Sequence, residues 1–600
     1  MNKTNINRME RRLGGKVKWL GVALFFTLHS SLFTSCSDFL QIEPQEIIVL
    51  DKYWSEEADV EGVVAGCYSS MQSQSVVGRM MVWGEFRSDN IVGGKNFEND
   101  VQIANIFKEN INASNTYAKW GDFYNVINRC NTVLKYAPQV AERDPAYTPS
   151  KLNATVAEVS ALRALMYFYL IRTFRDVPFV TEPYLNDSQE MQVPAAPFDS
   201  VLTVLIDDLE AKQQLAVKRY PVSQTYYQRG RITQDAIHAL LADMYLWKQD
   251  YPNAVKYADM VIDAKLNEYE QSSQRAGGQA AGAGAGHQLI DGFPLISDSY
   301  STGNYYGNAF EEIFGQGNSR ESIFELIFMN DDDMLANQAV SAFYGNASTF
   351  PGLVRPADFI GTDVSDETFS IFLSKYDSRF YENLQPVQGQ SNAYGINKYA
   401  FPQGMVNMGK AEPEATYGTA YADGKCHSNW VIYRLSDVML IKAEALVEMA
   451  PDTLTAQGDL PLGSAASLVE ESPLQEAFAI VNAINKRSNC DKEKRDLDWN
   501  AYSSKSLMRA LVLEERQREL MFEGKRWYDL VRRARRDGNT DYLVGVVARK
   551  GSSGSALSSK LSRMDAIYWP YHADELKVNS YLSQNPAFGS GEDSSIERTK

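Results

Sequence analysis

Residues 514–530 read EERQRELMFEGKRWYDL, a charge-dense stretch that is more informative about the fold than any other segment. Leu513 and Leu520 lie seven residues apart, which turns both towards one side of a helix. Gly524 suits the C-cap of that helix, because glycine adopts the left-handed conformation easily. Apolar residues at helical spacing resume at Trp527. The stretch therefore predicts two short helices that meet at a corner.

The charged residues of the first helix are spaced for ion pairs along its surface. Glu514 and Arg518 are four residues apart, and Arg516 and Glu519 are three apart. Pairs at these spacings stabilise helices and are common. A structural salt-bridge network is therefore favoured over a catalytic arrangement.

Further motifs follow one another along the chain. Residues 433–446 read YRLSDVMLIKAEAL, and near the end stand YWP at 568–570 and QNP at 584–586. The earlier motifs are DFL at 38–40 with Pro44, EFRSD at 85–89, FRDVP at 174–178, GRIT at 230–233 and ESIFE at 321–325.

In this order, the motifs resemble those of the SusD/RagB family, the outer-membrane nutrient-binding lipoproteins of Bacteroidetes. The family signature E-x-x-x-E-L-x-F-E-G-x-R-x-x-D-L matches residues 515–530. Ser436 stands where alanine is usual, and Tyr571 and Ala587 depart from the typical ending. The resemblance implies a mainly α, SusD-like fold built on tetratricopeptide-like helix pairs, with long loop insertions and few short strands.

The resemblance also implies a binding protein rather than an enzyme. Members capture an oligomeric nutrient at the cell surface and deliver it to a SusC-like TonB-dependent outer-membrane transporter. A glycan is favoured here, because 33 Tyr, 27 Phe and 9 Trp supply flat apolar faces for stacking on sugars, although most of them must be core. Members resembling RagB are associated with peptides, so a peptide ligand in the same uptake role is the alternative.

Residues 1–35 are typical of a lipoprotein signal peptide. Six basic residues precede or border an apolar run at 19–28, which is too short to cross a bilayer as a helix. The residues before Cys36 resemble a lipobox, although Phe33 stands where leucine is commoner. Cys36 is therefore the predicted lipidation site, and its acyl chains would anchor the protein in the outer membrane. Ordinary secretion with an incidental cysteine is the alternative.

Charge excludes one class of partner. Removing the signal peptide, whose net charge is +5, takes the formal charge from −17 to −22. No basic patch of any size is available to neutralise phosphates, so the sequence predicts no nucleic-acid binding. Besides Cys36 there are four cysteines, of which Cys67 and Cys130 lie in apolar helical contexts. Buried free thiols are favoured there over a disulfide framework.

Helix pairs explain the spacing of small and aromatic residues. Within 240–261, these residues recur as in two interlocking antiparallel helices, with a turn at 250–252. The same spacing returns in Ala443, Leu446, Ala477, Val481 and Ile484 if 451–473 is looped out. Further amphipathic helices are predicted at 120–136, 157–173, 198–213 and 506–522. The apolar run at 166–170 indicates a helix buried between neighbours.

The chain divides into regions of different texture. After the signal peptide, 36–270 forms an N-terminal region with helical repeats, 271–430 a loop-rich insertion region, and 431–600 the C-terminal signature region. Within the insertion, the Gly/Ala/Gln/Ser-rich residues 271–286 predict a mobile loop. The alternation at 321–328 predicts a half-buried strand. Binding residues concentrate on loops carried by a rigid scaffold, so we expect the ligand in this region.

Motifs for catalysis are few. His238, His287, His427 and His572 stand far apart in sequence, without zinc-ligand spacing, and neither a nucleophile elbow nor a P-loop occurs. We therefore predict no cofactor and no catalytic or metal residues. Residues 330–333 (NDDD) could contribute to a calcium site, but an acidic solvated turn is preferred. A secreted hydrolase and a protein that binds only other proteins remain less favoured alternatives.

The resemblance implies that the loop after EFRSD lies on the binding face. Seven residues are therefore predicted to contact the ligand, namely Arg87, Asp89, Asn96, Phe97, Asn99, Tyr305 and Tyr306. Phe97 would stack on the ligand between two asparagines that bond hydroxyls, and the two tyrosines, which stand between glycines, would form a second wall. The alternative is that the three aromatic rings only pack against the scaffold.

Overall fold

Paired α-helices form most of the scaffold. The computed structural model describes residues 53–95, 97–186, 188–275, 288–300, 303–329, 335–346, 350–361, 371–387, 393–422, 424–451, 472–550 and 554–589. In the N-terminal half the helices are α1 (Glu57–Met71), α2 (Gln74–Met81), α3 (Val101–Phe107), α4 (Gly121–Arg143), α5 (Pro149–Phe174), α6 (Phe198–Lys212), α7 (Tyr227–Gly230), α8 (Gln234–Lys248) and α9 (Tyr251–Arg275).

The second half begins with short helices and ends with longer ones. They are α10 (Asn308–Phe310), α11 (Gln338–Phe343), α12 (Ser378–Asn383), α13 (Leu435–Met449), α14 (Pro473–Ser488), α15 (Trp499–Tyr502), α16 (Lys505–Leu520), α17 (Arg526–Asp537), α18 (Asp541–Val547), α19 (Gly554–Leu561) and α20 (Ala573–Val578). Two π-helical turns, Val82–Phe86 and Glu311–Gln316, interrupt the pattern.

The strands are short and antiparallel. They are β1 (Ile91–Gly93), β2 (Val177–Pro178), β3 (Ala195–Ala196), β4 (Tyr305–Tyr306), β5 (Ser322–Leu326), β6 (Gly345–Asn346), β7 (Phe350–Pro351), β8 (Val354–Pro356), β9 (Leu384–Pro386), β10 (Tyr394–Ile396), β11 (Gly404–Asn407), β12 (Glu414–Tyr417) and β13 (Trp430–Arg434). The pairings are β1 with β8, β2 with β3, β5 with β13, β6 with β7 and β9 with β10, and β11 lies between β4 and β12. The predicted mainly α fold with few short strands is confirmed.

Both predicted helix pairs are present. Helix α8 packs on α9, and α13 packs on both α9 and α14. Ala242, Ala254 and Ala258 are fully buried, so the helices of the first pair approach closely. The five residues predicted to interlock in the second pair share one hydrophobic core. Small residues at these positions let the helix axes approach closely. Their regular spacing is therefore enough to predict the helix pairs from the sequence.

The other predicted helices correspond to α4, α5, α6 and α16. In α5, every residue from 166 to 170 is buried. Among the described residues this helix alone is long and apolar enough to cross a membrane, yet 89% of its apolar window is buried inside the protein. That burial is typical of a central core helix.

Two local predictions need correction. Helix α9 continues to Arg275, so 271–275 are helical rather than part of a loop, while 276–286 lie outside the described residues. Strand β5 is buried at all five positions rather than half-buried. The reason is that β13 pairs along it while α7 and α8 also contact it.

The signature stretch turns its corner differently from the prediction. Helix α16 ends at Leu520, and Gly524 lies in the turn before α17 with φ of +70°. A Cβ on Gly84 would lie 1.8 Å from the Gly524 carbonyl oxygen. The two glycines are therefore required because two backbones meet there, and Gly524 is not the C-cap of α16.

Buried ion pairs replace the predicted pairs along the helix surface. Glu514 is exposed, whereas Arg518 bonds Glu515 at 2.8 Å and Arg516 bonds Asp529 at 3.0 Å. Helix α16 is surrounded by other elements on most sides. Its charges therefore pair mainly across the fold, where charged groups need partners once they leave water.

Glu519 lies at the centre of this buried network. Arg434 and Arg487 approach its carboxylate to 2.5 and 2.6 Å, and Arg379 to 3.3 Å. Burial alone raises the pKa of Glu519, but the three guanidinium charges overcome it and hold the pKa well below its ordinary value. Since Arg379 belongs to α12, the network ties the insertion to the signature helix.

Candidate ligand-binding site

A cleft of about 410 Å³ lies where the loop after β1 meets the insertion. We call it the insertion cleft. It is lined by Gly93, Gly94, Lys95, Gly352, Val354, Arg355, Asp358, Val387, Ala393, Tyr394 and Gly395. Its volume falls within the range of about 300–1,000 Å³ usual for small-molecule sites.

Strand pairing builds one wall of the cleft. Ile91 of β1 lies opposite Pro356 of β8, and the Gly94 N–H donates to the Leu353 carbonyl at 2.8 Å. A Cβ on Gly94 would stand 2.5 Å from the Gly352 carbonyl oxygen. Glycine is therefore required at 94, because a side chain would push the loop away from the insertion.

The cleft presents an aromatic ring beside charged groups. The ring of Tyr394 meets that of Phe380 edge to face, with 5.7 Å between the centroids. Arg355 forms an ion pair with Asp358, and the side chains of both are open to solvent. Lys95 is exposed at the end of the β1 loop. The cleft thus combines a half-buried ring with polar groups that a ligand can reach.

A second cleft, of about 200 Å³, lies between α4 and the segment 178–193 and is mainly apolar. Its polar groups are already used within the protein. The Asn128 amide donates to a backbone carbonyl of the segment at 3.0 Å, and the Asn579 amide donates to another at 2.7 Å. The insertion cleft is the better candidate for a polar ligand.

Arg87 and Asp89 are buried within the scaffold and do not line the insertion cleft, so their contact with a ligand stays a prediction. Arg87 is 1% exposed, bonds Glu109 at 2.8 Å and lies over the ring of Trp527. Asp89 is fully buried and bonds Arg526 at 2.8 Å. Arg87 packs on Trp527 of α17 and Asp89 bonds Arg526 of the same helix, so both side chains join the EFRSD motif to the scaffold.

Glu85 of the same motif has a similar role. Its carboxylate accepts hydrogen bonds from the backbone N–H groups of Phe522 and Lys525, each at 3.2 Å. Burial raises the pKa of Glu85 to about 7. A motif that carries the family resemblance therefore holds the turn between α16 and α17 and does not contact the cleft.

The loop residues predicted to bind ligand differ in burial and in their contacts. The ring of Phe97 lies against the Gly93 backbone and contacts Phe107 edge to face at 5.9 Å. It is half-buried and does not line the insertion cleft, as the packing alternative predicts. Asn99 is exposed, and Asn96 lies outside the described residues. Contact of these residues with a ligand remains a prediction.

Tyr305 and Tyr306 form β4 and are half-buried. They pair with β11, and Gly307 after them has φ of +118°. Burial and the neighbouring Cys490 raise the pKa of Tyr306. Neither tyrosine lines the insertion cleft, so their role as a second wall also remains a prediction.

Within the described residues, no group of three or more His, Cys, Asp or Glu side chains could hold a metal ion. The candidate calcium residues 330–333 lie outside the described residues, as do Cys36 and the signal peptide. Cys67 and Cys130 are buried free thiols with 3.8 Å between their sulfurs, as predicted.

Comparison with known proteins places the chain. The sequence model of the SusD family matches residues 254–588. The chain belongs to the SusD family. A second family model, described as starch-binding associating with outer membrane, matches residues 38–246. The motifs seen in the sequence are therefore those of a SusD-family protein.

Relatives extend over almost the whole chain. SusD-like protein P38 of Formosa agariphila is 24% identical over 595 residues, which cover 95% of this chain and 99% of P38. Starch-binding protein SusD of Bacteroides thetaiotaomicron is 23% identical, covering 72% of each chain. Solved structures agree on the fold.

A SusD superfamily protein from Bacteroides thetaiotaomicron superposes with a TM-score of 0.60 at 21% identity, covering 89% of this chain and 99% of that one. A laminarin binding SusD-like protein superposes with a TM-score of 0.56 at 19% identity, covering 89% and 100%.

Four residues of the insertion cleft are not among the ligand-binding residues predicted from the sequence, namely Lys95, Arg355, Asp358 and Tyr394. A weak signal existed in the Gly-Gly-Lys run at 93–95, where two glycines permit close backbone approach. The other three lie more than 250 positions further along, and only the docking of the insertion brings them to this loop.

Proposed function

We propose that this SusD-family protein binds an oligosaccharide in the insertion cleft at the outer membrane. The observation that carries the proposal is the lining of the cleft, where the Tyr394 ring stands beside solvent-accessible charged groups. Sugar rings present apolar C–H faces to aromatic rings and hydroxyls to polar side chains. Such a lining suits both surfaces of a sugar.

The relatives support a glycan over other nutrients. One of them is named a starch-binding protein, one structural neighbour is described as laminarin binding, and the family model over 38–246 refers to starch. We therefore extend glycan binding to this chain, in a binding role rather than a catalytic one. A peptide, as the RagB resemblance allows, is an outcome that the test below distinguishes.

We further propose that Cys36 carries the lipid anchor, that the protein faces the cell exterior, and that it delivers its ligand to a SusC-like TonB-dependent transporter. The basic, apolar and lipobox-like blocks of residues 1–36 support the anchor. The family resemblance supports the transporter. Affinity purification from outer membranes under inducing conditions should recover such a barrel, and repeated failure to recover one would count against this part of the proposal.

Calorimetry tests the binding site. The full chain in detergent is titrated with maltoheptaose, laminarihexaose, uronate-containing and sulfated oligosaccharides, and a pool of oligopeptides. Tyr394→Ala should weaken oligosaccharide binding about ten- to hundredfold, corresponding to ~1–3 kcal/mol by analogy with base stacking. Tyr226→Ala is the matched control, because Tyr226 is 63% exposed and lies outside the cleft.

Phe97→Ala and Tyr305→Ala/Tyr306→Ala extend the same titration to the residues predicted from sequence. If these variants lose affinity while Tyr394→Ala does not, the site lies outside the insertion cleft. Binding of the peptide pool without any oligosaccharide would overturn the glycan assignment. Melting temperatures of all variants are measured in parallel, so that a loss of affinity is not confused with unfolding.

A further inference from the structure

The insertion cleft is cationic in a protein that is otherwise acidic. Among the described residues that line it, Lys95 and Arg355 carry positive charge and Asp358 carries the one negative charge. The whole chain has a formal charge of −17, and −22 without the predicted signal peptide. A local excess of positive charge against that background concentrates anions at the cleft.

Both cations are available to a ligand. Lys95 is exposed and makes no ion pair with a carboxylate in the described part of the chain. Nη1 of Arg355 forms the ion pair with Asp358 and donates a hydrogen bond to the Pro356 carbonyl at 3.2 Å. Its side chain is 38% exposed and that of Asp358 81% exposed, so the pair stands in water. Such exposed pairs contribute little to stability, and a ligand anion can replace Asp358 at little cost.

The geometry of the cleft favours a ligand that is large and anionic. Its volume of about 410 Å³ gives room for a ligand beside the two cations. The guanidinium of Arg355 presents a planar fork that matches a carboxylate or a sulfate in two-point contact. The ring of Tyr394 provides an adjacent surface for an apolar sugar face.

We propose that the ligand of the insertion cleft is an anionic oligosaccharide, whose carboxylate or sulfate groups pair with Lys95 and Arg355. This inference rests on the proposed function, since it names the class of glycan for the same cleft. Asp358 then limits affinity, because its carboxylate competes with the ligand for Arg355.

The test compares three probes by calorimetry on the full chain in detergent. They are an oligogalacturonate, a sulfated oligosaccharide from carrageenan, and neutral maltoheptaose. We expect at least one anionic probe to bind about tenfold or more tightly than the neutral one, with an affinity that falls as salt rises from about 50 to 500 mM. The carboxylate and sulfate probes show which anion is preferred.

Three variants then assign the effect to the cleft. Lys95→Gln and Arg355→Gln should each weaken the anionic probe about tenfold, and Asp358→Asn should strengthen it severalfold. A gain of affinity cannot result from misfolding. Lys135→Gln is the control, because Lys135 is an exposed lysine on α4, outside the cleft.

The outcomes separate the two proposals. Neutral and anionic probes binding equally well, without salt dependence, would overturn the charge inference and leave oligosaccharide binding intact. Binding of no oligosaccharide together with binding of peptides would overturn both. Tighter anionic binding that Lys95→Gln and Arg355→Gln leave unchanged would also overturn the inference, since the charge would then act from elsewhere.

Discussion

Arg379 Nη1 lies 2.6 Å from Glu515 Oε1, with both side chains almost completely buried. The two residues are 136 positions apart, one on α12 of the insertion and the other on the signature helix α16. Asp377 holds the same guanidinium from the other side at 2.7 Å. The insertion that forms one wall of the cleft is therefore fixed to the scaffold by buried charge.

Removing Glu519 should destabilise the protein strongly. Glu519→Ala leaves three buried guanidinium groups short of a partner, and breaking a buried pair in this way costs about 3–5 kcal/mol. The free energy of unfolding is measured by urea titration. Glu514→Ala on the same helix is the control and should change it by less than about 0.5 kcal/mol, because Glu514 is exposed. Equal effects of the two substitutions would contradict the buried network.

A side chain at position 94 should disable the cleft. Gly94→Ala places a methyl group 2.5 Å from the Gly352 carbonyl oxygen, so the loop and the insertion must separate. We expect oligosaccharide affinity to fall about tenfold or more while the protein stays folded. Gly121→Ala is the matched control, because a Cβ there meets nothing within 4 Å. Unchanged affinity in Gly94→Ala would show that the closeness of these backbones does not matter for binding.

Asp437 should contribute stability that depends on pH. Burial alone raises its pKa, but Lys525 at 2.7 Å and Arg516 at 3.1 Å lower the pKa to about 2. A lowered carboxyl pKa stabilises the folded state above the ordinary value near 3.8, and this contribution is lost as pH falls towards 2.

The difference in free energy of unfolding between the parent and Asp437→Asn should therefore be largest near neutral pH, at about 2–3 kcal/mol. It should shrink between pH 4 and pH 2. Asp199→Asn is the comparison, since the Asp199 side chain is 83% exposed. A difference that stays constant over this pH range would mean that charge at Asp437 is not the cause.

Lipidation should depend on Cys36. Cys36→Ala removes the only thiol at the lipobox-like site, so the full-length chain should no longer incorporate a labelled fatty acid or sediment with outer membranes. Mass spectrometry of the parent should find the processed, acylated N-terminus. Continued labelling of Cys36→Ala would place the anchor elsewhere, and Cys490→Ala serves as the control for loss of a thiol.

The helical scaffold of this protein could be predicted from the sequence alone. Small residues such as Ala242 and Ala258 recur at helical spacing, and local periodicity is enough to predict helices that pack closely. The motifs and their order along the chain indicated the SusD/RagB family. The sequence also indicated the loop around Gly93 and Gly94 as one wall of a binding site, because consecutive glycines permit a backbone that other residues resist.

Which side chains line the insertion cleft depends on the tertiary fold. Arg87 and Asp89 look like binding residues in sequence, yet they are buried against α17. Arg355 reaches the cleft because β8 pairs with β1, and Tyr394 packs on Phe380 of α12, whose neighbour Arg379 is bonded to α16. Charged side chains of α16 pair with residues far away in sequence, because a buried charge needs an opposite charge close to it in space. The spacing of residues along the chain does not indicate such long-range contacts. The lining of the cleft could therefore not be predicted from the sequence.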